Sequence, residues 1–175
     1  MIPESPPNRV TALYRAVDFP LKWERHAVLV ADVEAADATI VEHEGLLYMF
    51  AVVRDGVGGY SDTLAIWWSA DLFGPWRPHP GNPVLVDDRT ARPAGNFVHR
   101  DGRLWRPVQD CASGYGSALV LTEVVDLTPS SFRQVVHKTL RPGPLWPGRK
   151  LHTLNRDGRL ELIDGNSIQP KLTAL

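Results

Sequence analysis

The chain has 175 residues, 43% of them hydrophobic and 22% charged, a composition that is typical of a globular domain and too apolar for a disordered chain. Lys and Arg total 19 against 20 Asp and Glu, a formal net charge of -1, so a nucleic-acid partner is not expected. The sequence shows no apolar stretch of membrane-spanning length, no signal-peptide pattern at its start and a single cysteine, Cys111. These features predict a soluble cytoplasmic domain.

Short apolar runs bounded by turn residues follow one another along the chain. They lie at positions 46–53, 63–68, 117–125 and 132–140. Glycine-containing turns lie at 43–45, 100–102 and 156–158, and two of these carry the Asp-Gly pair that favours a β-hairpin. No window sustains a helical period over three turns. The sequence therefore predicts an all-β fold.

The strands contain an internal repeat. The segment 11–18, followed by Trp23, recurs as 64–71, followed by Trp76, at an offset of 53 positions. A third copy occupies 119–126, followed by Phe132, and the glycine turns recur at spacings of 57 and 56. Each unit thus holds four antiparallel strands in roughly fifty residues, which is typical of a propeller blade. The Asp that ends each repeated strand is predicted to cap its turn, and the Trp to pack between blades.

The number and phase of the repeats indicate part of a propeller ring. The chain holds a little over three units, whereas closed propellers normally use about four to eight blades. Residues 1–4 align with a second strand, and 150–166 supply two strands without a third or fourth. We therefore expect residues 1–175 to form one incomplete β-propeller domain. Its open strand edges predict self-association or poor solubility.

Several stretches resemble the five-bladed propeller that forms the N-terminal domain of glucosamine inositolphosphorylceramide transferases. They are residues 1–4, 14–23, 37–40, 72–76, 79–83, 91–95, 109–111, 115–116 and 152–154. The blade pattern is more remotely similar to glycoside hydrolase family 43 and levansucrase-invertase propellers. The resemblance implies that the first blade and half of the second are absent. It also implies a domain that acts alone or beside a glycosyltransferase or formyltransferase.

Propellers bind ligands at one mouth of the central channel, so functional side chains are expected where the innermost strands begin and the second strands end. The first kind of position is occupied by Asp37, Arg92 and His152. The predicted substrate-binding residues are Glu4, Asp37, Arg92, Gln109, Asp110, Tyr115 and His152. Two hypotheses are open for Arg92: it binds an anionic group of a ligand, or it bridges carboxylates of the domain such as Asp37 or Asp110.

Glycoside hydrolysis is the alternative function. It needs two carboxylates roughly 5 to 10 Å apart, and Asp37 and Glu123 are the candidate catalytic residues, with Asp110 as a further choice. For Asp37 a structural role, in which it bonds backbone amides of an adjacent blade, and binding of sugar hydroxyls are both favoured over catalysis. The resemblance assigns the base of the glycosidase relatives to the absent first blade, so a complete catalytic pair in this chain is not expected.

The histidines and the lone cysteine lack zinc-ligand spacing, and no phosphate-binding glycine loop is present, so no metal or cofactor is expected. The sequence therefore predicts a domain that recognises a carbohydrate or a glycolipid headgroup and is not catalytic on its own. A glycoside hydrolase that requires the missing blade is the second hypothesis.

Overall fold

The structure, a computed structural model, describes residues 1–4, 6–54, 59–144, 146 and 148–166. The described residues contain one turn of 3-10 helix, Pro6–Asn8, and otherwise strands and loops, and no helix among them is long and apolar enough to cross a membrane. The strands are β1 (Val10–Asp18), β2 (Lys22–Ala31), β3 (Ala35–His43), β4 (Leu46–Val53), β5 (Thr63–Ser69), β6 (Arg77–Pro78), β7 (Leu85–Val86), β8 (Val98–Arg100), β9 (Arg103–Asp110), β10 (Ala118–Leu127), β11 (Phe132–Leu140), β12 (Lys150–Asp157) and β13 (Leu160–Asn166).

The strands form four antiparallel sheets in chain order. The first is the β1–β2 hairpin, and the second has the order β3-β4-β5-β6, with β7 also paired to β5. The third has the order β8-β9-β10-β11, and the last is the β12–β13 hairpin. The all-β prediction is confirmed, and the succession of antiparallel sheets is consistent with a partial propeller.

The pairing of residue 1 with β1 agrees with the predicted repeat. The backbones of Met1 and Tyr14 exchange two hydrogen bonds of 2.8 Å, and in the second sheet Met49 is paired with Trp67. Because Tyr14 and Trp67 lie 53 positions apart in the sequence, residue 1 occupies the second-strand position that the repeat predicts.

Hydrophobic cores lie between successive sheets, and β4 shows why. Neighbouring residues of a strand point to opposite faces. Tyr48 and Phe50 join a buried cluster that reaches Leu104 of the third sheet, whereas Met49 joins a cluster that reaches Leu29 of the first. Both faces of β4 are therefore buried, which accounts for its uninterrupted apolar sequence.

A third, smaller core joins the third sheet to the last hairpin. Ala94, Leu119 and Leu151 are buried there, and Leu154 and Ile163 pack against them. This small core sets the position of β12, and β12 carries part of the polar site.

One predicted strand-end cap is present at Asp71, whose side chain accepts a hydrogen bond from the backbone N–H of Phe73 at 2.8 Å.

One buried cation lies between the second and third sheets. Arg106 is 1% exposed and donates to the backbone carbonyls of Thr90 and Ala91 and to Gln134 Oε1. Its guanidinium lies 5.5 Å from the ring centre of Phe50, and the described residues supply no carboxylate partner. Burial lowers the pKa of Arg106 to about 9. This burial was not predicted from the sequence.

Candidate functional site

Three of the predicted functional side chains, Asp37, Arg92 and His152, lie at or next to irregular strand pairing. The pairing of β3 with β4 shifts between positions 36 and 39, where Asp37 has a φ of 54°. The pairing of β12 with β13 shifts between positions 151 and 154, around His152. Before β8, Arg92 precedes an isolated bridge between Pro93 and Val108. Such bulges redirect side chains out of the regular alternation of a strand.

Arg92 and Asp37 form a buried ion pair. Arg92 Nε lies 2.6 Å from Asp37 Oδ2, and the two side chains are 10% and 23% exposed. Neither atom meets the geometry of a directed hydrogen bond, so charge attraction holds the contact. A second guanidinium nitrogen, Nη1, donates to the backbone carbonyl of Tyr60 at 2.8 Å. The structure therefore gives Arg92 the bridging contact with Asp37 that was one of its two predicted readings.

Tyr115 extends this contact from the loop between β9 and β10. Its ring centre lies 4.8 Å from the guanidinium carbon of Arg92, and its phenol oxygen hydrogen-bonds to His152 Nε2. Burial raises the pKa of the Tyr115 phenol; Arg92 partly offsets this effect, and Asp37 and Glu4 add to it. The phenol therefore keeps its proton at neutral pH.

Asp164 completes the sequence of contacts at the other ring nitrogen of the histidine. His152 Nδ1 lies 3.0 Å from Asp164 Oδ2, while Asp164 Oδ1 accepts from the backbone N–H and the hydroxyl of Thr153 at 2.6 Å each. Burial by itself would raise the pKa of the Asp164 carboxyl, but the hydrogen bonds from Thr153 and His152 outweigh it and lower the pKa. The carboxylate is thus ionised and accepts from both residues.

Four of the predicted binding residues therefore share one contact network: Asp37, Arg92, Tyr115 and His152. Two further ones support the surrounding loops. Gln109 is fully buried and donates to Pro93 O at 3.4 Å, and Asp110 accepts from the backbone N–H of Ala112 at 3.1 Å. These two hydrogen bonds stabilise the segments that carry Arg92 and Tyr115, and Asp110 Oδ2 also lies 3.6 Å from Arg141 Nη2.

Glu4 lies in a cleft next to this network. The cleft has a volume of about 180 Å³, and its lining includes Glu4, Asp37, Thr39, Gly95 and Thr153. Carboxylates and hydroxyls supply both acceptors and donors, which is the kind of polar lining that orients a hydroxyl-rich ligand.

Glu123, the second predicted catalytic carboxylate, has different neighbours. Its Oε2 lies 2.7 Å from His137 Nε2 and 3.7 Å from Arg103 Nη1, on the strands that flank β10. Among the described residues its contacts include no member of the Asp37 network. A catalytic role for Asp37 and Glu123 stays a prediction.

Three residues of this region were not predicted from the sequence: Asp164, its partner Thr153, and Lys150. A signal for Asp164 was available in the last hairpin: pairing outward from the turn at Gly158 places Leu154 opposite Ile163. The next residue beyond Ile163 is Asp164, which regular pairing places opposite Thr153 and close to His152.

Together these features define an all-β repeat domain whose first strands converge on a buried ion pair and a Tyr–His–Asp network. Comparison with known families gives this class a more specific assignment. The chain belongs to the family described as "Glucosamine inositolphosphorylceramide transferase 1, N-terminal", which matches residues 1–163.

Curated relatives match across most of the chain. Glucosamine inositolphosphorylceramide transferase 1 of Arabidopsis thaliana is 36% identical over 181 residues, and the protein of the same name from Oryza sativa subsp. japonica is 30% identical over 182. Each alignment covers 96% of this chain and 24% of the relative, so the chain spans about a quarter of the length of these relatives. No solved structure matches the chain.

Proposed function

We propose that this domain recognises the sugar or inositol-phosphate headgroup of a glycolipid and acts beside a glycosyltransferase activity. The observation that carries the proposal is the convergence of Asp37, Arg92, Tyr115 and His152 from separate sheets and loops next to one polar cleft. The names of the relatives mention glucosamine and inositolphosphorylceramide, which suggests both a sugar and a headgroup as ligands.

The chemistry of the cleft supports recognition of polyols. Glu4 and Asp37 offer carboxylate oxygens, while Thr39 and Thr153 offer hydroxyls, on one surface. The buried Arg92 holds Asp37 in place, because separating the two would leave an unpaired charge in a largely dehydrated position. A fixed carboxylate loses little freedom on binding, and pre-organisation of this kind increases affinity.

The five-bladed arrangement implied by the resemblance is part of this proposal, with the domain forming an arc of the ring. In that arrangement the network lies at one mouth of the channel, where a headgroup enters. Hydrolysis by Asp37 and Glu123 is the weaker candidate, since the two carboxylates have separate partners.

A binding titration tests the proposal. The chain would be titrated calorimetrically with glucosamine, myo-inositol and glycerophosphoinositol after a glycan-array screen. Asp37→Asn and Arg92→Lys are expected to weaken binding about tenfold or more, because they remove the charge pair or the planar guanidinium. The matched controls are Asp101→Asn and Arg100→Lys, which alter an exposed ion pair of 3.4 Å in a hairpin turn. Absence of all binding, or equal affinity of the site and control variants, would refute the proposal.

A further inference from the structure

The hydrogen bonds around His152 fix the direction of its protons. The ionised carboxylate of Asp164 only accepts, so His152 Nδ1 must carry the hydrogen that faces it. In the neutral ring Nε2 then has a lone pair, and the phenol of Tyr115 donates to it. The phenol proton is thereby turned toward His152, and the phenol oxygen offers the solvent only lone pairs.

Protonation of His152 reverses this arrangement. Both ring nitrogens of an imidazolium donate, so Nε2 would donate to the Tyr115 oxygen and the phenol hydrogen would be free to turn outward. Tyr115 would then change from an acceptor into a donor toward a ligand. Tyr115 is 45% exposed, so a ligand has access to the phenol.

The space in front of this pair is a second cavity, separate from the cleft at Glu4. It has a volume of about 370 Å³, and its lining includes Tyr115, Lys150, His152, Asp164 and Asn166. Lys150 has no ion-pair partner among the described residues, and the guanidinium carbon of Arg92 lies 4.8 Å from the centre of the Tyr115 ring. Lys150 and His152 therefore share the lining of this cavity with Tyr115, Arg92 lies against the Tyr115 ring, and the Asp164 carboxylate accepts hydrogen bonds from Thr153 and contacts His152.

We propose that this cavity binds the phosphodiester group of a headgroup and that His152 takes up a proton as the phosphodiester binds. The phosphodiester oxygen would accept from the Tyr115 hydroxyl and from the Lys150 ammonium, while imidazolium Nε2 donates to the phenol oxygen. The proton enters from solvent, and no bond of the ligand is broken. This inference rests on the proposed function, since it assigns the phosphate part of the same headgroup.

The charged groups around His152 allow a clear pH test. Asp164 faces it from β13, Lys150 from its own strand, and Tyr115 from the β9–β10 loop, with Arg92, Asp37 and Glu4 beyond the phenol. Histidine is the side chain that ordinarily changes charge between about pH 5 and 8. A phosphodiester keeps its single negative charge over this range. A change in affinity with pH therefore arises from titration of a group on the protein.

The experiment titrates the full chain with glycerophosphoinositol, and with myo-inositol as the uncharged reference, at about pH 7.5 and about pH 5.5. We expect the affinity for glycerophosphoinositol to rise about tenfold toward the lower pH, the effect of one charge-assisted hydrogen bond, and the affinity for myo-inositol to stay unchanged. Titration in buffers of different ionisation enthalpy should show proton uptake. Phosphatidylcholine vesicles with and without phosphatidylinositol show whether a lipid-borne inositol phosphodiester binds as the soluble one does, because phosphatidylcholine supplies a phosphodiester without inositol.

Three variants separate the roles. Tyr115→Phe keeps the ring against Arg92 but should lose about tenfold in affinity for glycerophosphoinositol, and Lys150→Met should lose a similar factor. His152→Gln should abolish the pH dependence and the proton uptake. Lys138→Met on β11 is the control for a general loss of positive charge, and unfolding curves verify that each variant is folded.

The outcomes distinguish this inference from the proposed function. If sugars or myo-inositol bind but the phosphodiester adds no affinity, or if Tyr115→Phe and His152→Gln behave as wild type, the phosphodiester site is refuted and headgroup recognition stands. If glycerophosphoinositol binds with the expected pH dependence while every sugar and myo-inositol fails, the phosphodiester site stands and sugar recognition is refuted.

Discussion

Gly95 lies where the segment that carries Arg92 contacts β12. Replacing Gly95 with alanine should push this segment and β12 apart. A Cβ at this position would lie 2.0 Å from the carbonyl oxygen of Leu154, so β12 would have to retreat by about 1 Å to reach even the 3.0 Å limit of real contacts. The backbone N–H of Leu154 also donates to Ala94 O at 2.8 Å, and this hydrogen bond would be lost.

The cost of Gly95→Ala can be estimated from these contacts. A φ of 117° strains any residue with a side chain by about 1 to 3 kcal/mol. Loss of the Leu154 hydrogen bond adds about 1 kcal/mol, and overpacking adds about 1 to 3 kcal/mol. Partial relaxation reduces the combined effect, so we expect the free energy of unfolding to fall by about 3 to 5 kcal/mol.

Urea unfolding measures this loss, with Gly102→Ala as the matched control. Gly102 also has a positive φ, 72°, but a Cβ there would meet nothing within 4 Å. The control should therefore lose only the conformational cost of about 1 to 2 kcal/mol. Equal losses at Gly95 and Gly102 would show that the close approach to β12 does not hold the Arg92 segment.

Four further predictions concern Arg106, Asp164 and the strand edges. Arg106→Ala should lower the free energy of unfolding by about 3 to 5 kcal/mol and Arg106→Met by about 1 to 3, because methionine still fills the space of the stem; equal losses in urea would contradict this. Since burial lowers the pKa of Arg106 to about 9, the unfolded chain binds this proton more tightly, and the stability of wild type relative to Arg106→Met should rise as the pH increases through about 9. Asp164→Asn should lower the free energy of unfolding by less than about 1 kcal/mol at neutral pH, because the carboxylate is half exposed. Because the pKa of Asp164 is lowered in the folded chain, this difference from wild type should disappear as acid protonates the carboxyl. A difference that grows in acid would refute the hydrogen-bonded, ionised state of Asp164. The self-association expected from open strand edges should appear as concentration-dependent light scattering that Leu160→Lys with Leu162→Lys on β13 reduces, whereas a monodisperse monomer at high concentration would contradict it.

The repeat and the strands were accessible from the sequence because their signals are local. Apolar runs such as 46–53 correspond to β4 at both ends, and the Asp101-Gly102 turn adopts consecutive positive φ values of 52° and 72°, as the hairpin signal predicts. Strand period and turn chemistry act over a few residues, so one sequence is enough to read them. The convergence of Asp37, Arg92 and His152 was also predicted, since each lies at the same point of its repeat.

The partners of those residues were decided by the tertiary structure. The bulge in β12 offsets the pairing and brings Asp164 to His152, and the β9–β10 loop folds back to place Tyr115 between Arg92 and His152. Arg92 pairs with Asp37 across two sheets, and Arg106 is buried without a carboxylate in the described core. Such contacts depend on how the sheets pack and where strands deviate from regular pairing. The sequence thus indicated that Asp37, Arg92 and His152 occupy equivalent points of the repeat, and the packing of the sheets decided which partners they contact and that Glu123 lies apart from them.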